Sequence, residues 1–248
     1  MSITLSSLPE NYRAVIVGAS GGIGAAFVRH LAADPRCSAI HALSRSGNAP
    51  ESAKIHPGHI DFEDPASIMS ALEPVTADGP VHLAIVASGV LHGDGFGPEK
   101  TWRHLDAASL EKVFAINTTG PALVAAALLD HLPREGKSVF AALSARVGSI
   151  ADNRLGGWHA YRASKAALNQ IIRTCSIELA RKRREALIVG LHPGTVETAL
   201  SEPFRGNVPD KKLFTPDYSA GCLLEVINAL TPAQSGRCFD WQGEEIAP

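Results

Sequence analysis

The chain is most constrained by a short apolar run, Ala14-Val-Ile-Val17, that passes without a break into Gly18-Ala19-Ser20-Gly21-Gly22-Ile23-Gly24 and then into an amphipathic stretch, residues 23–33. An apolar run bounded by glycine predicts a buried strand, and the spacing that follows predicts a helix. Glycines at such a junction let backbone approach a ligand with no Cβ in the way. The helix behind them aims free N–H groups and the positive end of its dipole at the same point, which suits a pyrophosphate. A tight strand-to-helix turn that binds nothing is the alternative.

The same alternation continues along the chain. Residues 40–43, a part of 54–62, 83–87, 138–143, 187–191 and 237–241 predict further strands. Residues 65–72, with Asp64 as N-cap, 107–115, 118–132, 159–183 and 216–230 predict helices. Continuously apolar strands separated by helices give an α/β fold: a Rossmann-type, doubly wound parallel sheet of about seven strands with helices on both faces. With 248 residues, 45% of them hydrophobic, the expectation is one domain, 1–248. The loop-rich stretch 195–215 is long for a compact domain and is expected to be a substrate loop.

Composition excludes several classes. A net charge of −2 gives no general attraction for nucleic acid or an anionic membrane. Arg181-Lys182-Arg183-Arg184 falls at a helix C-terminus, where cations complement the dipole. The apolar run 122–129 is too short to span a bilayer. Four scattered cysteines and an N-terminus without a secretory pattern predict a reducing, cytoplasmic setting. His56, His59 and Asp61 invite a metal reading, but the Pro57-Gly58 turn between the histidines breaks helical pairing, and no metal is expected.

The glycine spacing is G-x-x-x-G-x-G, from Gly18, Gly22 and Gly24. Ala87-Ser88-Gly89, Asn117, Ser144, Tyr161-x-x-x-Lys165 and Pro193-Gly194 follow in order. This series resembles the short-chain dehydrogenase/reductase family over essentially the whole chain, and the segment 143–169 is most similar to its C-factor-like subgroup. Two departures stand out: Val17 where the family commonly has Thr, and Val86-Ala87-Ser88-Gly89 where it commonly has Asn-Asn-Ala-Gly. The second removes amide side chains that brace the cofactor loop.

The resemblance implies a nicotinamide cofactor held by Gly18, Ser20, Gly21, Gly22, Ile23 and Gly24, by Ala87, Ser88 and Gly89, and by Pro193, Gly194, Val196 and Thr198. It implies adenine contacts at Asp61 and Phe62, although Asp61 also reads as a solvated strand-end acid. Strand two ends Leu43-Ser44-Arg45, without the carboxylate that would bind the free ribose of NAD. Ser44 and Arg45 therefore predict a 2′-phosphate pocket and NADP(H), with an ordinary surface arginine as the alternative reading of Arg45.

Tyr161 and Lys165 share one helix face. A nearby ammonium favours the phenolate; alone the pair also reads as an ordinary helix face, and together with the upstream motifs it predicts an acid/base that also touches the cofactor. Ser144 is expected to hydrogen-bond the substrate oxygen, with Ser149 a weaker candidate. The resemblance assigns Asn117 a water linked to the lysine, and a helix cap is its alternative. His92, Arg154, Trp158 and Phe204 are candidate pocket walls. The expected activity is hydride transfer between NADP(H) and a small carbonyl or alcohol substrate. Family resemblance also implies a homodimer or homotetramer packed through helices 121–129 and 159–181. Two other readings stay open, a dinucleotide-binding signalling or scaffolding protein with little turnover, and an epimerase or dehydratase.

Overall fold

The computed structural model describes residues 3–207 and 213–248. Its strands are β1 (Tyr12–Val17), β2 (Cys37–Ser44), β3 (Ile55–His59), β4 (Leu83–Val86), β5 (Ser138–Leu143), β6 (Ala186–His192), β7 (Thr195–Val196), β8 (Leu213–Phe214) and β9 (Cys238–Asp240). Seven of them form one sheet in the order β3-β2-β1-β4-β5-β6-β9. Every pairing in it is parallel. The reason lies in the composition of the strands. All residues of β4 and β5 are buried, so both faces need a cover, and helical crossovers supply it.

The covers divide by strand parity. Ala14, Ile16, Leu83 and Ile85 pack with α1 (Gly22–Ala33) and α6 (Pro216–Ala229) on one face. Val15, Val17, Ala84 and Val86 pack on the other with α2 (Pro65–Ala77), α4 (Gly120–Leu128) and α5 (His159–Lys182). An additional helix, α3 (Ala107–Phe114), leads into α4. The predicted doubly wound fold is therefore the one observed, and the strand order reverses between β1 and β4.

Boundaries differ in instructive ways. The expected helix 65–72 continues as α2 to Ala77, through Pro74. The expected helices 107–115 and 118–132 are one run, joined by a π turn at Ala115–Thr119. Pro121 explains the turn: it has no N–H to return to the Asn117 carbonyl, and the Gly120 N–H reaches back to the Ala115 carbonyl instead. The combined stretch Ala107–His131 is 25 residues long, and by length and apolar content alone it could cross a membrane. Half of its most apolar window is buried inside the fold, however, as in a core helix. The expected loop 195–215 contains β7 and β8, paired in parallel, and a 3-10 turn at Glu202–Asn207. Its residues 208–212 lie outside the described part.

One buried polar cluster on the α2 side makes stability depend on pH. His41 is buried, and the Arg13 guanidinium donates to its Nε2 at 3.0 Å. Burial first, and then the Arg13 cation, push its pKa down from 6.5 to about 4. Between those values the unfolded chain binds a proton that the folded chain does not, so stability falls as pH drops through that window. From pH 7 to pH 5 the loss is roughly 2 kcal/mol. We expect His41→Gln, whose amide oxygen still accepts from Arg13, to flatten this acid limb by about that amount in urea melts. An unchanged slope would show that His41 is not its source.

Candidate active site

A groove opens at the carboxyl ends of β1, β4, β5 and β6, where the reversed strand order places a crevice. Its main chamber, about 520 Å³, is walled by the glycine turn, Ser144, Tyr161, Lys165 and the segment 192–204. A side chamber of about 190 Å³ is walled by Ser20, Ser44, Arg45, Asp61 and Phe62. Gly21, Arg45, Ala87, Ser88 and Gly89 belong to both, so the two chambers form one groove.

The glycine turn is sterically enforced. Gly18 has φ of 87°, and a Cβ on Gly24 would sit 2.1 Å from the Gly18 carbonyl oxygen. The first turn of α1 is left open. Its N-cap, Gly21, has no side chain, no acid follows, and no acceptor among the described residues meets the N–H groups of Gly22, Ile23 and Gly24. By contrast, Asp64, Asp106 and Thr215 cap α2, α3 and α6. An open first turn on the wall of a groove fits a diphosphate. Thr198 stands over it, its methyl 2.7 Å from where a Cβ on Gly22 would be.

At the side chamber the β2 end carries no carboxylate. Ser44 is buried with its Oγ 3.2 Å from Ser46 Oγ, and Arg45 is exposed. His59 Nδ1 bonds the Arg45 carbonyl at 2.9 Å, which steadies this turn, while His56 lies against His41. Asp61 and Phe62 line the chamber but also have structural work. The Asp61 carboxylate accepts the Glu63 N–H at 3.0 Å. The Phe62 ring fills the space where a Cβ on Gly120 would go.

The candidate reacting side chains stand on α5. Its start is built by a distant loop: the Glu99 carbonyl accepts the Trp158 N–H at 2.6 Å, and the buried Glu99 carboxylate accepts the Ala160 N–H at 3.2 Å. Trp158 takes left-handed backbone, φ 53° and ψ 43°, and its ring lies edge-on to Tyr161 with centroids 6.3 Å apart. Lys165 is 3% exposed, and its Nζ donates to the Leu143 carbonyl at 2.8 Å. That Nζ lies 5.8 Å from the Tyr161 ring centroid. Burial pushes the Tyr161 phenol up to about 12 and the Lys165 ammonium down to about 8. Ser144 Oγ donates to Asn169 Oδ1 at 2.6 Å.

Asn117 is fully buried in the π turn behind the groove. Its Oδ1 accepts the Val90 N–H at 2.8 Å, and its Nδ2 donates to the Val90 carbonyl at 2.8 Å and to Ser164 Oγ at 3.2 Å. This clamp braces the loop after β4 that lacks the family's usual amides. Pro193, Gly194 and Val196 follow β6 along the main chamber.

Trp158 and Phe204 line the chamber with ring centroids 5.2 Å apart. His92 supports them from behind, its ring 5.7 Å from Phe204 and its Nε2 3.2 Å from the Ala199 carbonyl. Arg154 is not a wall: it is exposed and turned toward the Asn153 carbonyl. Ser149 Oγ binds the Pro248 carbonyl at 3.3 Å and the Asp152 N–H at 3.1 Å, a loop-holding role. Glu99 and Asn169 escape the motif reading. Asn169 repeats the Tyr161–Lys165 spacing one step further along the helix, whereas nothing near Glu99 in sequence announces its capping role.

Residues 12–208 match the family model for short chain dehydrogenase. The C-signal protein of Myxococcus xanthus is 38% identical over 179 residues, 72% of this chain and 99% of that protein. A 1-hydroxy-2-glutathionyl-2-methyl-3-butene dehydrogenase of Rhodococcus is 35% identical over 163 residues, 66% of this chain and 65% of that protein. The crystal structure of NADPH-bound carbonyl reductase from chicken fatty liver superposes with a TM-score of 0.84 at 27% identity, over 97% of this chain and 95% of the other.

Asn117→Ala would leave the Val90 N–H and carbonyl without partners. A stability loss of about 2 kcal/mol is expected in denaturant melts. A loss under about 0.5 kcal/mol would mean that the clamp does not hold this loop.

Proposed function

The chain belongs to the short-chain dehydrogenase family, and we propose that it is an NADP(H)-dependent oxidoreductase moving a hydride between the nicotinamide and a carbonyl or alcohol carbon. The observation that carries this reading is the shared wall of Ser144, Tyr161 and Lys165 in a groove that also takes in the open start of α1 and Arg45. In this reading the whole chain works as one unit, including the loop 195–215. Arg45 and Ser44 receive the 2′-phosphate, Gly18 to Gly24 the diphosphate, and Asp61 and Phe62 the adenine. Ala87 to Gly89, Pro193, Gly194, Val196 and Thr198 border the nicotinamide end.

The nicotinamide supplies or takes the hydride when bound. Tyr161 holds its proton, since burial keeps the phenol neutral up to about 12. It is thus loaded as an acid and passes that proton to the substrate oxygen as charge grows there. Lys165, fixed on Leu143, favours the phenolate left behind. In the reverse direction the same oxygen, as phenolate, takes the proton back. Asn117 keeps the loop after β4 in register with the lysine. Trp158 and Phe204 suit an apolar, flat substrate group.

The same reading places the protein in the cytoplasm as a homodimer or homotetramer. Leu123 on α4 and Ile177 on α5 support that assembly, being 37% and 47% exposed. The name of the C-signal relative favours one further reading, a dinucleotide-binding signalling protein with little turnover.

Tyr161→Phe separates the two. Assayed with NADPH on benzil, acetophenone and hexanal, it is expected to lose at least ~100-fold in kcat while keeping NADPH affinity. Wild-type protein inert toward all three would favour the signalling reading. Arg45→Ala is expected to weaken NADPH binding by about tenfold or more and to leave NADH unchanged in calorimetry. Equal wild-type affinity for the two cofactors would remove Arg45 from the site.

A further inference from the structure

Ser144 has one hydroxyl proton, and that proton is already committed. Its Oγ donates to Asn169 Oδ1 at 2.6 Å, and the residue is 3% exposed on the groove wall. A hydroxyl offers one donor and two acceptor positions. With its proton on Asn169, Ser144 presents only lone pairs to the groove. A carbonyl oxygen, or the alkoxide it becomes, is itself an acceptor and gains nothing from that face. Stabilising charge on a substrate oxygen needs the opposite polarity.

The Asn169 amide can supply it. A carboxamide carries an acceptor on one arm and a donor on the other, in nearly the same shape. Turned by half a rotation, it presents Nδ2–H to Ser144 Oγ and releases the hydroxyl proton toward the groove. Nothing else fixes the amide, because Asn169 makes no other hydrogen bond among the described residues. The neighbour on the far side fits as well. Cys238 Sγ and Ser144 Cβ converge on the bare α-carbon of Gly190, 3.0 and 3.4 Å from where its Cβ would lie. Burial pushes the Cys238 thiol up to about 11 against the lowering effect of its hydrogen bond with Ser144, so at neutral pH it meets the serine as a neutral thiol and not as a thiolate. Tyr161, Lys165 and Asn169 follow one another at single-turn intervals on one face of α5.

We propose that Asn169 is a positioning residue that sets the polarity of Ser144, its amide holding the hydroxyl proton in the resting site and turning to release it to the substrate oxygen. This rests on the carbonyl-reducing function proposed above. An ordinary packing asparagine would be indifferent to which arm faces the serine. A polarity switch is not.

Asn169→Asp discriminates, being nearly isosteric. Its ionised carboxylate has acceptors only and locks the serine proton in place. When protonated it again carries a donor. With NADPH and the same three carbonyl probes, the ratio of variant to wild-type kcat is expected to be at most ~0.1 at pH 8 and to rise as pH falls through the carboxyl range. KM for NADPH stays unchanged. Asn169→Ala is expected to lose less and to show no such rise. In a Ser144→Ala background Asn169→Asp should cost nothing further, since its effect passes through that hydroxyl.

A flat ratio across pH, or an equal loss with and without Ser144, would overturn the proposal while leaving the reductase reading intact. Should Asn169→Asp fail to fold, as seen in far-ultraviolet circular dichroism, Asn169→Ser on the same double-mutant cycle decides. A cost that disappears in the Ser144→Ala background supports coupling, and a cost that persists overturns it. Wild-type protein inert on all probes would instead overturn the function on which the proposal rests.

Discussion

The ammonium of Lys165 is the reference point for the groove. A cation 3% exposed cannot stay unpaired, and its fixed partner is the carbonyl of Leu143, the last residue of β5. That bond registers the long helix α5 against the centre of the sheet. The turn after β5 wraps closely around it, since a Cβ on Gly148 would sit 2.8 Å from Lys165 Cβ. Tyr161 lies one helical turn before the lysine and Asn169 one turn after it, so a single contact orients the phenol, the amide and, through the amide, Ser144. A neutral side chain at this position would lack that bond, leaving α5 held by the Glu99 cap and by its buried face, Leu168, Ile172 and Leu179.

The opposite end of the groove works by omission. The first turns of α2, α3 and α6 are satisfied by Asp64, Asp106 and Thr215, and that of α5 by Glu99 reaching across from the loop after β4. The start of α1 alone among these combines a side-chain-free N-cap with a glycine turn that no larger residue could adopt. Donors left open at one end and a proton held on Tyr161 at the other give the groove an electrostatic direction along its length, with Arg45 beyond the open donors.

Much of this is legible in the amino-acid sequence itself. Strand identity, strand polarity and the crevice follow from apolar runs and from the position of Gly18 to Gly24. The Tyr161–Lys165 pair follows from helical spacing. What sequence reading could not supply were contacts between segments far apart in number. Glu99 caps α5 from 61 residues away, and nothing local marks it. Asn117 reads as a cap or a water holder, and only the folded loop reveals the clamp on Val90. Arg154 looked like a pocket wall because it precedes Tyr161, but the glycines at 156 and 157 let the chain turn it outward. The π turn was the reverse case, since Pro121 was in plain view and its missing N–H was the signal.

The packing of α1 has a consequence for how the chain is made. Its apolar face is covered by α6, and Arg29 and His30 meet Asp217 across that contact at 3.4 and 3.5 Å. The helix that presents the open donors is synthesised well before the helix that covers it. Until then Phe27, Val28 and Leu31 have no partner layer on that side, because α6 is still inside the synthetic machinery. The half of the groove built on the glycine turn thus matures only when α6 docks on α1. A chain truncated before Pro216 would carry every residue of the glycine turn and yet lack the layer that keeps it in place.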